Sequence, residues 1–152
     1  MENKPYTFQS GKYRDKTVEE IVFKDLGYIG ALLSYRDNNK SPSNALQQHL
    51  EVLMNTTPET VSKCPICHQE SVKYFLYLNT ETVSKDLICC DSPTCKQRLH
   101  DNHPNDYLLP LKLSSLLVFK QKTLRNKAVS LFKNILGLRG QLSSEKIYSI
   151  FF

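Results

Sequence analysis

The apolar residues in the first third of the chain recur at helical spacing and predict three short helices. A capping box, Thr17-Val18-Glu19-Glu20, begins the first helix, and Gly27 suits its end. The second helix is predicted over residues 28–37. The third ends near Asn55 and buries three leucines at i, i+4 and i+7, namely Leu46, Leu50 and Leu53. Ahead of these helices, aromatic residues on both sides of Ser10-Gly11 predict a short hairpin.

The last third has the pattern of an amphipathic helix over residues 110–136. Its apolar residues recur mainly at steps of three and four, with lysine and arginine between them. Gly137 and Gly140 would end this helix. Ser143-Ser144-Glu145 then caps a last short helix through Tyr148. This helix and the residues after it carry apolar side chains expected to dock on the fold or on a partner: Ile147, Ile150, Phe151 and Phe152.

The middle of the chain has two short β patterns. Residues 72–78 and 85–89 predict strands joined by a turn at 79–82. The fold class expected is therefore α+β, with a small helical N-terminal module that includes a hairpin, a strand-bearing module and a helical C-terminal segment. The boundaries expected are residues 1–55 for the first module, 56–61 for a linker, 62–103 for the second module and 104–152 for the basic helical segment.

All five cysteines of the chain lie in the middle module. Cys64-Pro65-Ile66-Cys67 is one close pair, and Cys90 and Cys95 form a second pair after 22 intervening residues. Two close pairs about twenty residues apart are the usual layout of a four-ligand structural zinc site. We therefore predict a zinc cofactor in a zinc-ribbon or treble-clef module, and a helix after the second pair would favour the treble clef. The ligands predicted are Cys64, Cys67, Cys90 and Cys95.

The choice of ligands is open in two respects. Cys89 adjoins Cys90 and competes with it for the fourth position. His68, His100 and His103 have imidazole groups, which also bind zinc. With four thiolates the site has no open position for water, which indicates a structural role for the metal rather than a catalytic one.

The chain opens without the apolar region of a signal peptide, and no apolar stretch reaches 18 residues. We therefore expect a cytoplasmic protein with no membrane helix. In that compartment thiols stay reduced, so clustered cysteines more often bind metal than form disulfides.

Basic residues are concentrated in the last third of a chain whose formal net charge is +5. Residues 104–152 hold eight lysines and arginines against two acids, whereas residues 1–103 hold twelve against thirteen. This asymmetry suggests a face that binds a polyanion. A solvated helix face would give the same count.

One stretch near the start resembles a small module of bacterial and phage nucleases. It runs Phe8-Gln9-Ser10-Gly11-Lys12-Tyr13-Arg14-Asp15-Lys16-Thr17-Val18-Glu19-Glu20-Ile21, followed by Asp25-Leu26-Gly27-Tyr28-Ile29. It is similar to the C-terminal domain of the exodeoxyribonuclease X type, in which F-G-K-Y-x-G-K-T-x-E-E precedes D-P-x-Y-I-x-W-L. The chain departs at Asp15, where that pattern favours Gly, at Leu26, in place of Pro, and at Gly30-Ala31, which lacks the Trp. The resemblance covers about a fifth of the chain and implies an accessory part beside DNA-processing domains, not a catalytic domain.

A single polar cluster, His100-Asp101-Asn102-His103, has residue types that zinc-stapled HNH nucleases use. In those nucleases the catalytic residues lie between the two cysteine pairs, whereas this cluster follows the second pair. We therefore predict that it is a polar loop closing the zinc module. The chain also has no phosphate-binding G-x-x-x-x-G-K-[ST] motif and no G-x-S-x-G motif. We expect a protein that is not an enzyme.

The zinc module, the basic segment and the nuclease-like module together favour a nucleic-acid-binding accessory protein. DNA is the expected polymer, within a larger nucleoprotein or DNA-processing assembly. The alternative is a zinc-stabilised adaptor that docks in a partner protein through Ile150-Phe151-Phe152. The residues expected to contact nucleic acid are Lys12, Arg14, Lys16, Lys73, Lys96, Arg98, Lys112, Lys120, Lys122, Arg125, Lys127 and Arg139.

Overall fold

The fold is given by a computed structural model, and its helices and small antiparallel sheet confirm the α+β class. The structure describes residues 4–34, 44–60, 63–77, 88–104, 106–138 and 142–152. The helices are α1 (Val18–Val22), α2 (Leu26–Ser34), α3 (Asn44–Asn55), α4 (Pro93–Asn102), α5 (Lys122–Ile135) and α6 (Ser144–Phe151), with a 3-10 helix at Leu113–Val118. The strands are β1 (Tyr74–Tyr77), β2 (Ile88–Cys89) and β3 (Tyr107–Pro110).

The chain divides into two compact units. The helical unit consists of Met1–Thr56 together with Gly140–Phe152, and the cysteine unit consists of Thr57–Arg139. The segment expected at residues 104–152 is thus divided between them. Its strand, its 3-10 helix and α5 belong to the cysteine unit, whereas α6 belongs to the helical unit.

A hairpin opens the helical unit, as predicted. Thr7 and Thr17 form an antiparallel bridge, and the N–H of Phe8 donates to the carbonyl of Lys16 at 2.8 Å. Between the bridge partners, the N–H of Arg14 donates to the carbonyl of Gly11 at 3.2 Å and closes a turn. Gly11 lies in this turn with a φ of 89°, the left-handed conformation that glycine adopts at little cost.

Helix α1 starts with the predicted Thr17 cap, but it does not end where predicted. The Thr17 hydroxyl accepts the N–H of Glu20 at 3.1 Å. Gly27 was expected to end this helix, and that is wrong, because Gly27 lies inside α2. Asp25 explains the difference. Its carboxylate accepts the N–H of Tyr28, three residues on, at 3.2 Å, and such an N-cap starts α2 before the glycine.

The last helix packs within the helical unit. The hydroxyls of Thr17 and Ser144 share a hydrogen bond of 2.5 Å, and the rings of Phe23 and Phe151 lie 6.5 Å apart. Burial of Phe151 extends α6 beyond its predicted end at Tyr148. In the same unit α3 buries the three leucines predicted for it, Leu46, Leu50 and Leu53.

One charged side chain is fully buried among the described residues, and it lies in the helical unit. One oxygen of Glu19 accepts the N–H of Tyr6 at 3.2 Å, and the other contacts Nε2 of His49. The His49 ring stacks on Phe152 with centroids 4.8 Å apart, and Phe152 stacks on Tyr148 at 4.4 Å. The pair and the rings therefore join the hairpin, α1, α3 and α6.

The sheet of the cysteine unit has the order β2-β1-β3, with both pairings antiparallel. Tyr74 lies opposite Cys89, which places these two side chains on one face and Phe75 on the other. The rings of Phe75 and Phe132 meet edge to face at 6.3 Å, so α5 covers the second face. The first face carries the cysteines.

The single helix predicted over residues 110–136 is wrong in its first half. Pro110 ends β3, the 3-10 helix follows, Phe119 is extended and the α-helix begins only at Lys122. Leu113 and Leu116 are both buried and lie three residues apart. That spacing suits a 3-10 helix as well as an α-helix, so the apolar pattern alone does not distinguish them.

Gly137 ends α5 as predicted. Its φ is 72°, and its N–H donates to the carbonyl of Asn134 at 3.0 Å. The N–H of Leu138 donates to the carbonyl of Lys133 at 2.9 Å, which completes a Schellman motif. The predicted strands are present as β1 and β2. Outside the described residues lie Gly140, the end of the predicted second helix at 35–37 and the turn at 79–82.

Candidate metal centre

The four cysteines predicted as ligands lie together in the cysteine unit. The sulfur atoms of Cys64, Cys67, Cys90 and Cys95 all lie within 4.8 Å of one another. The Sγ atoms of Cys67 and Cys90 are 3.4 Å apart. Three of the four residues are buried, and Cys67 is exposed. Four thiols at this separation are close enough to hold one metal ion.

The first pair lies on a tight knuckle before β1. The N–H of Cys64 donates to the carbonyl of Gln69 at 2.9 Å, and the N–H of His68 donates to the carbonyl of Cys64 at 2.8 Å. His68 has a φ of 62°, a left-handed conformation that closes the turn. These bonds hold the two thiols of the knuckle on the same side of the turn.

The second pair lies where β2 leads into α4. Cys90 follows the strand, and its Sγ accepts the N–H of Ser92 at 3.4 Å. Ser92 is the N-cap of α4 and Pro93 its first residue, where proline is favoured. Cys95 therefore falls in the first turn of the helix. Knuckle, antiparallel strands and a helix bearing the last cysteine make the treble-clef order rather than the zinc-ribbon order.

The backbone around the knuckle favours a negative charge on Cys64. Burial raises the pKa of this thiol, but the N–H groups of Cys67, Cys90 and Ile66 point at its sulfur and bring the pKa down to about 6. Burial raises the pKa of Cys90 to about 12. The Cys64 thiol is thus ready to ionise near neutral pH, whereas Cys90 needs a cation to stabilise its thiolate.

The alternative ligands lie apart from the group of four. Cys89 is buried on the sheet face beside Tyr74, and burial raises its pKa to about 12. His68 and His100 are exposed, and Nδ1 of His103 lies 3.2 Å from Asp106. None of these side chains joins a metal-ligating group within the part of the chain that the structure describes. The structure thus places Cys90, and not Cys89, beside the other three thiols.

An apolar shell surrounds the buried thiols. Cys64, Cys89, Cys90, Cys95 and Leu99 form one buried cluster, and Ile66, Tyr74 and Leu108 pack against it. Leu99 lies one helical turn after Cys95, on the same side of α4. The shell keeps water away from most of the cluster, which strengthens electrostatic interactions there.

The predicted nucleic-acid contacts are distributed over both units. Lys12, Arg14 and Lys16 lie in the hairpin turn of the helical unit, and the rest belong to the cysteine unit. Arg139 lies outside the described residues. Seven of these side chains are exposed and make no ion pair with another described residue: Arg14, Lys16, Lys73, Arg98, Lys120, Lys122 and Lys127.

Other predicted contacts are engaged inside the protein. Lys12 lies 3.5 Å from Asp25. Arg125 donates to the carbonyl of Phe119 at 3.3 Å, and Lys112 is half-buried. Lys96 lies over the Tyr74 ring, an interaction that sequence spacing does not reveal because the two residues belong to different elements.

The polar cluster at residues 100–103 is not the loop predicted for it. Residues 100–102 form the last turn of α4, and His103 is its C-cap.

The structure also describes the apolar residues that were proposed to dock in a partner protein. Phe151 is buried within the helical unit, whereas Phe152 is 43 % exposed and stacked on Tyr148. Phe151 is therefore not presented to a partner protein.

Over the described residues, no helix combines the length and the apolar character needed to cross a membrane. Comparisons with protein-family models, curated proteins and solved structures found no match to this chain.

Proposed function

We propose that the protein is a zinc-binding, nucleic-acid-binding accessory protein, with DNA as its expected polymer. Zinc would hold the cysteine unit together, and exposed basic side chains would contact phosphates. The observation that carries the proposal is the group of four thiols on a treble-clef module. The protein would act in a larger nucleoprotein or DNA-processing assembly and would have no enzymatic activity of its own.

The thiol geometry fits zinc. Sulfur atoms bound at about 2.3 Å to one zinc ion lie about 3.8 Å apart in a tetrahedron. The separations found here include 3.4 Å between Cys67 and Cys90 and none exceeds 4.8 Å, so small shifts of the side chains reach that value. Four thiolates select a soft or borderline ion and leave no open coordination position. The metal proposed is therefore structural, and Cys64, Cys67, Cys90 and Cys95 would hold it.

The charge pattern supports a polyanion as the partner. No acidic residue lies between Asp106 and Glu145, whereas lysines and arginines recur through this stretch. Lys120, Lys122 and Lys127 are exposed around the start of α5. Phosphate groups attract such unpaired cations, and neutralised phosphates release counterions.

The hairpin turn of the helical unit supports a second contact region. Arg14 and Lys16 are exposed there. Asp15 has a φ of 67°, a left-handed conformation, at the position where the exodeoxyribonuclease X pattern favours Gly. Asp tolerates this conformation better than most residues do. The substitution is thus compatible with the same turn, which we propose to contact phosphates.

The first experiment measures metal content together with DNA and RNA binding at two salt concentrations. We expect one zinc per chain and tighter binding to DNA than to RNA. For the five phosphates that Arg14, Lys16, Lys120, Lys122 and Lys127 would neutralise, affinity should fall by a factor of about 500 between about 50 and 200 mM salt. Affinity that ignores salt would contradict the phosphate contacts, and absence of zinc would contradict the metal site.

Two triple variants test whether the basic residues act locally. Lys120→Gln, Lys122→Gln and Lys127→Gln together should reduce the salt slope by about three. A matched triple at other exposed lysines, Lys24→Gln, Lys63→Gln and Lys146→Gln, removes the same charge. Equal loss of affinity in both triples would show an effect of net charge alone and would contradict a binding face at the start of α5.

A further inference from the structure

Lys96 is adjacent in sequence to a predicted metal ligand and makes two contacts within the cysteine unit. It follows Cys95 in the first turn of α4. Its Nζ lies 4.6 Å from the ring centroid of Tyr74 and 3.6 Å from Oδ1 of Asp91, and its side chain is 31 % exposed. A lysine that only contacts solvent or phosphate would not need these partners.

Both partners of Lys96 border the proposed metal site. Tyr74 packs against the buried cluster that contains Cys64, Cys90 and Cys95. Asp91 follows Cys90 directly along the chain. The ammonium group thus lies over a ring that packs against the cluster.

The charge of the centre explains why a cation belongs there. Four thiolates around one divalent ion carry a net charge of about −2, and their pKa values and affinities respond to neighbouring charges. Asp91 adds a negative charge next to a ligand. Lys96 offsets that charge, and it does so at a partly desolvated position, where charges interact more strongly than in bulk water.

We propose that Lys96 is the charge-compensating residue of the metal centre. Its ammonium stabilises the metal-bound thiolates and slows loss of the metal, whereas Asp91 acts in the opposite direction. This inference rests on the proposed zinc site and reassigns Lys96, which sequence spacing suggested as a phosphate contact.

Transfer of zinc from the loaded full-length protein to a chromogenic chelator, at low salt, tests the proposal. Lys96→Met keeps the apolar stem over Tyr74 but removes the charge. It should speed metal transfer about three- to tenfold. This effect is smaller than the 10- to 100-fold loss of metal affinity that is typical when a group bonded directly to a ligand is removed. Lys96→Arg should behave like the wild type, and Asp91→Asn should slow transfer.

Arg98→Met is the matched control, because Arg98 is an exposed cation on the same helix. It should leave the transfer rate unchanged. The effect of Lys96→Met should also shrink at about 1 M salt, where charges are screened within about 3 Å. Cobalt-loaded Lys96→Met should keep the thiolate absorption of the wild type, showing that all four ligands still bind.

The outcomes separate this inference from the proposed function. Zinc-loaded wild type with unchanged transfer in Lys96→Met would overturn the role of Lys96 and leave the zinc site standing. Equal acceleration in Lys96→Met and Lys96→Arg would also overturn it, because the effect would then come from side-chain shape. A wild-type protein that binds no zinc would overturn both.

Discussion

One helix of the helical unit, α6, and one helix of the cysteine unit, α4, differ in the side chains that they bury. In the helical unit, α6 buries Ile147 and Phe151 and adds the ring stack on His49. In the cysteine unit, α4 is longer but buries only Cys95 and Leu99. The helical unit thus has a core of ordinary apolar side chains around α6. Around α4 of the cysteine unit, the sulfur atoms of the cysteines take the place of such a core.

The magnitudes show what this difference means for stability. A fully buried leucine contributes about 1.5–3 kcal/mol. A structural zinc ion contributes about 10–16 kcal/mol of apparent binding free energy at neutral pH. A helix anchored by Leu99 alone cannot match that contribution. We infer that the knuckle and α4 depend on metal and that the helical unit does not.

Removing the metal should have the largest effect on stability. It should unfold the knuckle and α4 and leave the helical unit folded. With a strong chelator, we expect amide protection to be lost in the knuckle at residues 64–69 and in α4, because the proposed metal would hold these two segments together. Protection in α1, α3 and α6 should persist. Hydrogen exchange with mass spectrometry measures both regions in one experiment.

Cys67→Ser should reproduce the effect of the chelator without adding a reagent. Cys89→Ser is its control, since Cys89 lies outside the group of four sulfurs; it should retain the metal. Loss of amide protection in both units at the same chelator concentration would contradict the inference that the helical unit does not depend on metal, because the two units would then unfold together.

The buried pair of the helical unit should give the next largest effect. His49→Gln removes the ring nitrogen that contacts the buried Glu19 carboxylate, and a buried charged group that loses a hydrogen-bond partner costs about 3 kcal/mol. We expect a lower free energy of unfolding for the helical unit and unchanged metal retention. Urea titration monitored by hydrogen exchange measures this.

Two further variants sharpen that result. Gln48→Ala changes an exposed neighbour on α3 and should have little effect. The double variant Glu19→Gln with His49→Gln should recover part of the loss, since no charge remains buried. A double variant as unstable as the two single losses added together would show that the side chains act independently.

Glycine substitutions should produce a smaller difference between the units. Gly11→Ala places a Cβ 3.0 Å from the Tyr28 hydroxyl on a backbone with a φ of 89°, so we expect a loss of about 2 kcal/mol in the helical unit. Gly137→Ala meets the left-handed penalty at the end of α5, about 1 kcal/mol. Thermal unfolding of the metal-loaded protein measures both, and a larger loss for Gly137→Ala would contradict the crowding at Gly11.

Lowering the pH should have the smallest of these effects on the stability of the helical unit. The Tyr13 hydroxyl donates to the Asp25 carboxylate at 2.6 Å, and this bond is the main reason that the pKa of Asp25 is lowered. The Tyr28 N–H and Lys12 lower the pKa further, whereas burial raises it. A lowered pKa means that Asp25 stabilises the fold above its unfolded value of about 3.9. That contribution disappears as the pH falls through the folded value.

Asp25→Asn should therefore flatten the acid dependence of the helical unit below about pH 4, where the wild-type carboxyl takes up its proton. The variant should release metal at the same pH as the wild type, because metal loss follows protonation of the thiolates. Unchanged acid unfolding of the helical unit would contradict the role assigned to Asp25. Circular dichroism and metal release, followed over the same pH series, distinguish the two events.

Sequence patterns predict those features that depend on near neighbours. The cysteine spacing identified the four clustered thiols, because two residues between ligands suffice for a knuckle and a strand pair joins the two halves. The Thr17 cap, the leucines of α3 and the Gly137 helix end are likewise local. Each depends on residues within about two helical turns of one another.

Features that depend on distant partners were missed for a physical reason. His49 lies 30 residues from Glu19, and no local pattern pairs them. The strand β3 forms because β1 offers an unpaired edge, which the residues Tyr107–Pro110 do not themselves reveal. The 3-10 helix shares its apolar spacing with an α-helix, so tertiary packing decides between them.

The division of the helical unit into two chain segments has a consequence for how the protein is made. A ribosome releases Thr57–Arg139 before α6, so the cysteine unit can fold and load its metal while the earlier helices still lack their last partner. Until α6 packs, Phe23 lacks its ring contact with Phe151. During this interval the apolar surface that α6 later covers is exposed on the nascent chain. Chaperone binding and aggregation would compete with folding during this interval, which ends when α6 emerges.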